Sequence, residues 1–444
     1  MTAPAAGPTE LKRTIGRGDV ALLVIGSVIG SGIFLVPGGV LTQSGGSVGL
    51  AMLAWLFGGV LSLLGALTYA ELGAMQPQVG GLYLYIRDAF GKLPAFLYGW
   101  VIFFCICAGT VATLAVASSA YLEQFIPLGP VGRKAVSLLI IAAIALLNVR
   151  GTRVSVTALN WGTGIKVAAL AFLIVVLPFA GNGLSQVHPW FPAEIDLSLL
   201  SGVGLAMISV LWAYEGWQYA TFVSGEVKDP QRNLPWGLAM GTLALVAIYV
   251  LTNLAYLSAL GSAGVAQSDR VAAEAMQVSL GPTAARLIAL PIIISMISAA
   301  HSVILTMPRA FFAMARDGVF FQKLGEVHPR YETPAFAILA GSAVAAVLSL
   351  LGGFNQLLSY VIFVGWMFYG LAGASVFVFR RTRADWPRPF KVPGYPVTPI
   401  LFVLSAAAIV LNAIFTQPIR QTVLGVGVVA TGIPAYFIWR SRLR

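Results

Sequence analysis

Charged side chains are scarce in this sequence: Asp, Glu, Lys and Arg make up 10% of its 444 residues, where a soluble domain carries about 25%. That shortage excludes a soluble globular protein. Cysteine is nearly missing too. Cys105 and Cys107 are the two in the chain, and at that spacing on a helix they face apart. A mutual disulfide and a metal pair are both excluded, so they read as packed thiols. No His, Cys or carboxylate cluster has metal spacing, no glycine-rich loop follows a strand, and no nucleophile elbow occurs. No cofactor or metal is expected, and the chain does not read as an enzyme. Residues 1–10 carry no cleavable signal pattern, so the first apolar segment is expected to stay in place.

What the chain has instead is apolar length. Hydrophobic residues make up 58% of it, and a membrane-spanning helix needs roughly 20 of them in a row. Apolar stretches between polar breaks predict an all-α membrane protein of twelve spans. They fall at about 17–42, 49–76, 86–121, 132–148, 155–181, 198–225, 235–260, 283–313, 334–351, 356–379, 395–415 and 421–440. The third is expected to begin in an amphipathic turn around Tyr85 to Lys92. The net charge of +11 is scattered over short loops, which argues against nucleic acid. With both termini inside, Arg133, Lys134, Arg270, Arg286 and Arg420 fall outside and Lys166 falls within a span. The remaining 21 of the 27 Lys and Arg residues lie on the cytoplasmic side, as the positive-inside rule requires.

Two spans are interrupted. The first reads Ile25-Gly26-Ser27-Val28-Ile29-Gly30-Ser31-Gly32-Ile33-Phe34, with three glycines in seven residues, each weakening a helix by about 1 kcal/mol. The sixth carries Trp212-Ala213-Tyr214-Glu215-Gly216-Trp217, a glycine beside a charge at mid-membrane depth. Interrupted helices in corresponding places point to inverted repeats around a midplane binding site. After a tail at 1–16, the expected units are 17–181 and 198–379, followed by two helices over 395–440.

A broken helix survives in hydrocarbon only where it lines a cavity. The amides of Gly30, Ser31, Gly32 and Ile33 would start the outer half-helix at its positive end, a site for an anion such as a carboxylate. Carbonyls near Ser27 to Ile29 and Trp212 to Tyr214 suit an ammonium group. A zwitterion fits both, so the geometry points to an α-amino acid.

Ionisable residues inside spans are functional candidates by default. Lys166 lies midway along the fifth span, where its ammonium could bridge helices one, five and eight as a fixed cation, make a simple bond to a carbonyl, or carry a proton. Glu215 could select a cationic side chain, cap the inner half-helix or face the vestibule. Glu71 and Glu226, close to the cytoplasmic ends of their helices, are expected in loop salt bridges, and His301 in an interhelical hydrogen bond rather than a proton relay.

Longer motifs then carry a family likeness. They are Gly26 to Phe34, Ala70-Glu71-Leu72 with Pro77-Gln78-Val79-Gly80-Gly81, and Gly225 to Pro235. Pro308 to Gly318, His328-Pro329 with Thr333-Pro334, and Arg388 to Pro396 complete the series. From about residue 12 to 440 the chain resembles the amino acid–polyamine–organocation superfamily. Within it, the likeness is to bacterial members of the L-type amino acid transporter branch of the serine/threonine exchanger kind. The resemblance implies a LeuT-type 5+5 inverted repeat with broken helices one and six plus two C-terminal helices. It implies sodium-independent exchange of small or medium neutral L-amino acids by alternating access in a bacterial inner membrane. A proton-coupled importer or exporter, with cationic amino acids accepted, is the alternative, and a non-transporting amino-acid sensor is the competitor from another class. By the same resemblance Gly30, Ser31 and Gly32 match the carboxylate-binding segment, with Ile29 and Ile33 beside them in the substrate site, Trp212 is an aromatic lid, and Ala213 and Tyr214 offer backbone contacts. Lys166 takes the place of a sodium ion, with Ser295 and Ser298 as partners on the eighth helix. Glu215 and His301 depart from the pattern: relatives often have a small residue or Asp at the first and Asn at the second. The 122–131 loop lacks the cysteine that joins animal relatives to a glycoprotein, so no disulfide-linked subunit is expected.

Overall fold

Hydrocarbon offers a peptide group no partner, so each crossing segment must close its hydrogen bonds within itself. The computed structural model describes residues 11–441 apart from 182, 193, 195, 352–353 and 417–418, and it is helical with no strand among the described residues. The expected tail is therefore described only from Leu11 on, and Arg442 and Arg444 lie outside the described residues.

The first expected span is three pieces: α1 (Arg17–Val28), α2 (Gly32–Leu35) and α3 (Pro37–Gln43). Unbroken α4 (Val48–Met75) follows. Next, α5 (Leu82–Phe90) is a helix of its own. The third span starts after it, through α6 (Lys92–Val101), a π-helical turn (Ile102–Ile106) and α7 (Cys107–Leu122). The sequence reading merged α5 into this span because its apolar side chains continue the pattern. α8 (Gly129–Val149) and α9 (Thr152–Ala180) complete the first half.

The second half opens with α10 (Leu197–Ala213), continued after a break by a 3-10 helix, Trp217–Glu226. The exposed carboxylate of Asp196 accepts from the Leu199 amide at 2.8 Å and starts α10. That bond holds it below its ordinary range. Then come α11 (Pro230–Ala266), α12 (Val271–Leu280), α13 (Pro282–Thr306), α14 (Pro308–Arg316) and α15 (Ala335–Leu351). α16 (Phe354–Thr382), α17 (Val397–Thr416) and α18 (Ile419–Ser441) close the chain. The sequence reading did not foresee α12, a short helix in a loop.

Nine helical segments among the described residues are long and apolar enough to cross a membrane, and α15 is apolar but shorter. Side chains such as Leu139, Leu146, Trp161, Phe172 and Val175 on α8 and α9 point outward and exposed, which suits a surface in lipid. Polar groups gather in the middle instead: Lys166, Glu215, Gln218, Ser295 and Ser298 are all buried. There α1 packs on α9, α11 and α13, and the Trp217–Glu226 helix packs on α1, α4, α11 and α13. This arrangement brings the two interruptions together.

Candidate functional site

α1 stops at Val28, where Ile29 turns to an extended backbone (φ −71°, ψ 91°). Helical bonding resumes when Phe34 and Leu35 both donate to the Ser31 carbonyl at 3.1 Å. The amides of Gly30, Ser31, Gly32 and Ile33 consequently have no partner among the described residues. These are the four amides the sequence singled out. On the facing helix, α10 ends at Ala213, and the chain turns through Gly216 at φ +125°, a conformation that glycine adopts readily.

Gly32 is where the two interruptions touch. A Cβ built on it would lie 2.5 Å from Ala213 Cα and 2.6 Å from Ala213 Cβ. Only a residue without a side chain lets the backbones approach so closely.

Around this contact Ser27, Val28, Gly30, Ser31, Gly32, Thr110, Leu114, Trp212, Glu215, Tyr219 and Ala299 enclose a cavity of about 20 Å³. That is room for about one water and too little for an amino acid. Two of its hydroxyls, Ser31 Oγ and Thr110 Oγ1, are buried with no partner, a costly arrangement unless something binds there.

Glu215 supplies the charge. Gln218 Nε2 at 2.6 Å, Tyr219 OH at 3.2 Å and Tyr369 OH at 2.6 Å all donate to its Oε1. No hydrogen bond reaches Oε2 among the described residues, and Glu215 is part of the cavity wall.

Lys166 meets the interruption from α9. Its Nζ donates to Gly26 O at 2.8 Å, Ile29 O at 2.7 Å and Ser295 O at 3.2 Å, three acceptors for the three protons of an ammonium. α1, α9 and α13 are thereby tied at one atom. Ser295 also joins through its hydroxyl, 3.1 Å from both Ile29 O and Gly30 O. Ser298 does not reach Lys166: its hydroxyl has no partner, and the side chain packs against Gly162 of α9. One turn of α13 sets it about 4.5 Å along the helix axis from Ser295, level with Gly162 rather than with Lys166. These bonds also occupy the Ile29 carbonyl, which the sequence had left free for an ammonium substrate group. His301 is buried with Nε2 unpartnered, so it does not make the interhelical bond expected of that atom.

Residues 15–434 match the profile of a family described as amino acid permease. The chain belongs to the amino acid permease family. The serine/threonine exchanger SteT of Bacillus subtilis (strain 168) is 31% identical over 435 residues, 97% of this chain and 98% of that protein. The large neutral amino acids transporter small subunit 2 of Homo sapiens is 32% identical over 97% of this chain and 81% of its own. The b(0,+)-type amino acid transporter 1 of Homo sapiens is 31% identical over 97% and 88%. The resemblance drawn from the motifs is therefore borne out. This permease is a multi-pass membrane protein, and its family and relatives transport amino acids rather than catalyse a reaction.

Sequence reasoning missed Tyr249 at the centre of the permease. From α11 its hydroxyl lies 3.1 Å from Val28 O and 2.9 Å from Ala213 O, sharing one proton between the last carbonyls of α1 and α10. An uncharged tyrosine in a long apolar helix gives no signal in the sequence. Thr110, Leu114, Tyr219, Ala299 and Tyr369 were missed for the same reason.

Ion pairs gather toward the other end of the Trp217–Glu226 helix. Arg309 and Glu226 are fully buried and joined at 2.8 Å. Thr152 bridges them, donating to Glu226 Oε2 at 2.6 Å and accepting from Arg309 Nη2 at 3.0 Å. A further Arg309 nitrogen donates to the Leu305 carbonyl. The backbone carbonyl of Glu226 accepts from Thr14 and Ile15 at 2.9 and 3.0 Å. Nearby, Arg87 pairs with Asp317 at 2.7 Å beside a cleft of about 660 Å³ whose wall includes Arg13, Gln78 and Arg316.

Proposed function

We propose that the chain is a sodium-independent exchanger of small or medium neutral L-amino acids. It works by alternating access around the cavity between α1, α2 and α10. The observation that carries this reading is the set of four unpartnered amides at Gly30 to Ile33 beside the cavity. A substrate carboxylate there would meet Ile29, Gly30, Ser31, Gly32 and Ile33, while its ammonium group would find the Ser27 carbonyl and the chain turn at Trp212, Ala213 and Tyr214. Trp212 would close over it. Lys166 already bonds the carbonyls where a sodium ion would otherwise be held, which supports independence from sodium, with Ser295 as its helper. Relatives named as a serine/threonine exchanger and as large neutral amino acids transporters support both the exchange mode and the neutral substrate.

The same reading takes the architecture as twelve spans with both termini in the cytoplasm of a bacterium. Two inverted units, 17–181 and 198–379, precede an extra pair at 395–440 in its inner membrane. The paired interruptions and the distribution of Lys and Arg support it. The Glu226–Arg309 and Arg87–Asp317 pairs then form the cytoplasmic gate, and the cleft near Arg13 is the mouth behind it. No disulfide-linked subunit takes part.

The free Oε2 of Glu215 favours a second reading, in which a cationic amino acid is also accepted. Protein in liposomes decides between them. Uptake of labelled serine or leucine that requires internal amino acid, without sodium, is the expected result, and the same behaviour with labelled lysine would carry the second reading. Uptake into empty liposomes under a pH gradient would replace exchange with proton coupling, and binding without flux would mean a sensor.

A further inference from the structure

We propose that the cleft between the C-terminus of α16 and the start of α17 seats the phosphate of an anionic phospholipid. The cleft holds about 450 Å³ and is lined by Arg380, Ala384, Trp386, Arg388 and Lys391. Its cations are of two kinds. Arg380 and Arg388 are held in place: Arg380 bonds Glu71 at 2.9 and 2.6 Å with its guanidinium 3.7 Å above the Tyr395 ring. Arg388 donates to the carbonyls of Phe379, Arg383, Ala384 and Trp386 at 2.8 to 3.1 Å. It thereby covers the negative end of α16, which would otherwise repel an anion.

Lys391 is exposed and has no ion-pair partner among the described residues, so its charge is available. Within 380–391 the acid Asp385 stands against Arg380, Arg381, Arg383, Arg388 and Lys391. The buried Glu71 offsets one of these, and Asp88 lies 3.7 Å from Arg383. A positive surplus remains.

Apolar surface adjoins this charge. Trp386 lies under Arg383 at 4.1 Å, and α17 begins with Val397, Ile400, Leu401 and Leu404 exposed. Cations beside interfacial aromatics, with open apolar side chains one turn on, match a phosphodiester with its acyl chains. A free phosphate would use only half of this surface. On the topology proposed above, the cleft faces the inner leaflet, where anionic headgroups attract basic segments.

The test follows the thermal midpoint of the full chain, purified in detergent, during titration with phosphatidylglycerol, phosphatidylcholine or inorganic phosphate. Phosphatidylglycerol is expected to raise the midpoint saturably, and the other two are not. Lys391→Ala should weaken the apparent affinity about five-fold, ~1 kcal/mol for one surface cation. Lys391→Arg should restore it, and Lys92→Ala, an exposed cation elsewhere, should leave it unchanged. Equal effects of phosphatidylcholine or inorganic phosphate, or equal losses in Lys391→Ala and Lys92→Ala, would overturn the site. The midpoint shift caused by added amino acid, read on the same samples, reports separately on the transport reading.

Discussion

The Lys166 ammonium lies 2.7 Å from the carbonyl of Ile29, the residue at which the first helix stops. The contact joins a fully buried cation to the backbone group that the interruption exposes. Each would be costly in hydrocarbon without the other.

Replacing Lys166 by Met is therefore expected to abolish exchange while protein still reaches the membrane. The carbonyls of Gly26, Ile29 and Ser295 lose the Lys166 donor; Ile29 keeps the Ser295 hydroxyl, and each carbonyl left without a partner costs about 1–3 kcal/mol. Initial uptake rates normalised to surface-labelled protein check this. Wild-type rates in the variant would remove Lys166 from the mechanism.

Tyr249→Phe keeps the ring and deletes the hydroxyl shared by Val28 and Ala213. A loss of about 1–3 kcal/mol and a slower exchange rate are expected, since the ends of α1 and α10 are no longer tied to one atom. Thermal midpoints and exchange rates of the same preparations are the measurements. A slower rate with no change in stability would place the hydroxyl in substrate contact instead.

Gly32→Ala puts a methyl group where Ala213 already stands. Overpacking of this kind costs about 1–3 kcal/mol, and the two interruptions must separate. Exchange should fall at least ten-fold, and Ala213→Gly in the same chain should not restore it, because the Ala213 Cα 2.5 Å from the new methyl group remains. Wild-type exchange in Gly32→Ala would mean that the two interruptions need no such close approach.

Glu215→Gln retains the size and the acceptor of the side chain but removes its charge. Competition of labelled neutral amino acid uptake by lysine or arginine should weaken, while competition by serine should hold. An unaltered competition profile would leave Glu215 as the bonding partner of Gln218, Tyr219 and Tyr369 and nothing more.

Arg309→Met leaves Glu226 charged, fully buried and without its cation, a change that costs about 3–5 kcal/mol. Arg309→Met with Glu226→Met removes both charges and should regain most of that stability. If the pair forms the gate, the double variant should fold yet leak amino acid without exchange. Efflux from preloaded liposomes reads this directly.

Much of the permease was legible one residue at a time. Scarce charge and long apolar runs determine a helical membrane protein because hydrocarbon permits little else. The glycines at 26, 30 and 32 and at 216 mark the interruptions because glycine costs a helix most after proline. Lys166 and Glu215 declare themselves by their charge at such depth. The α5 boundary and the whole of α12 did not, because neither changes the apolar pattern. What the tertiary structure alone decided is which group each of these residues meets. It gave Lys166 the Ile29 carbonyl and Ser295 but not Ser298, and it placed Tyr249 between two helix ends. It also closed the space between Gly32 and Ala213. Such contacts join residues far apart in the chain, and they depend on helix rotation and approach, which no local pattern of side chains encodes.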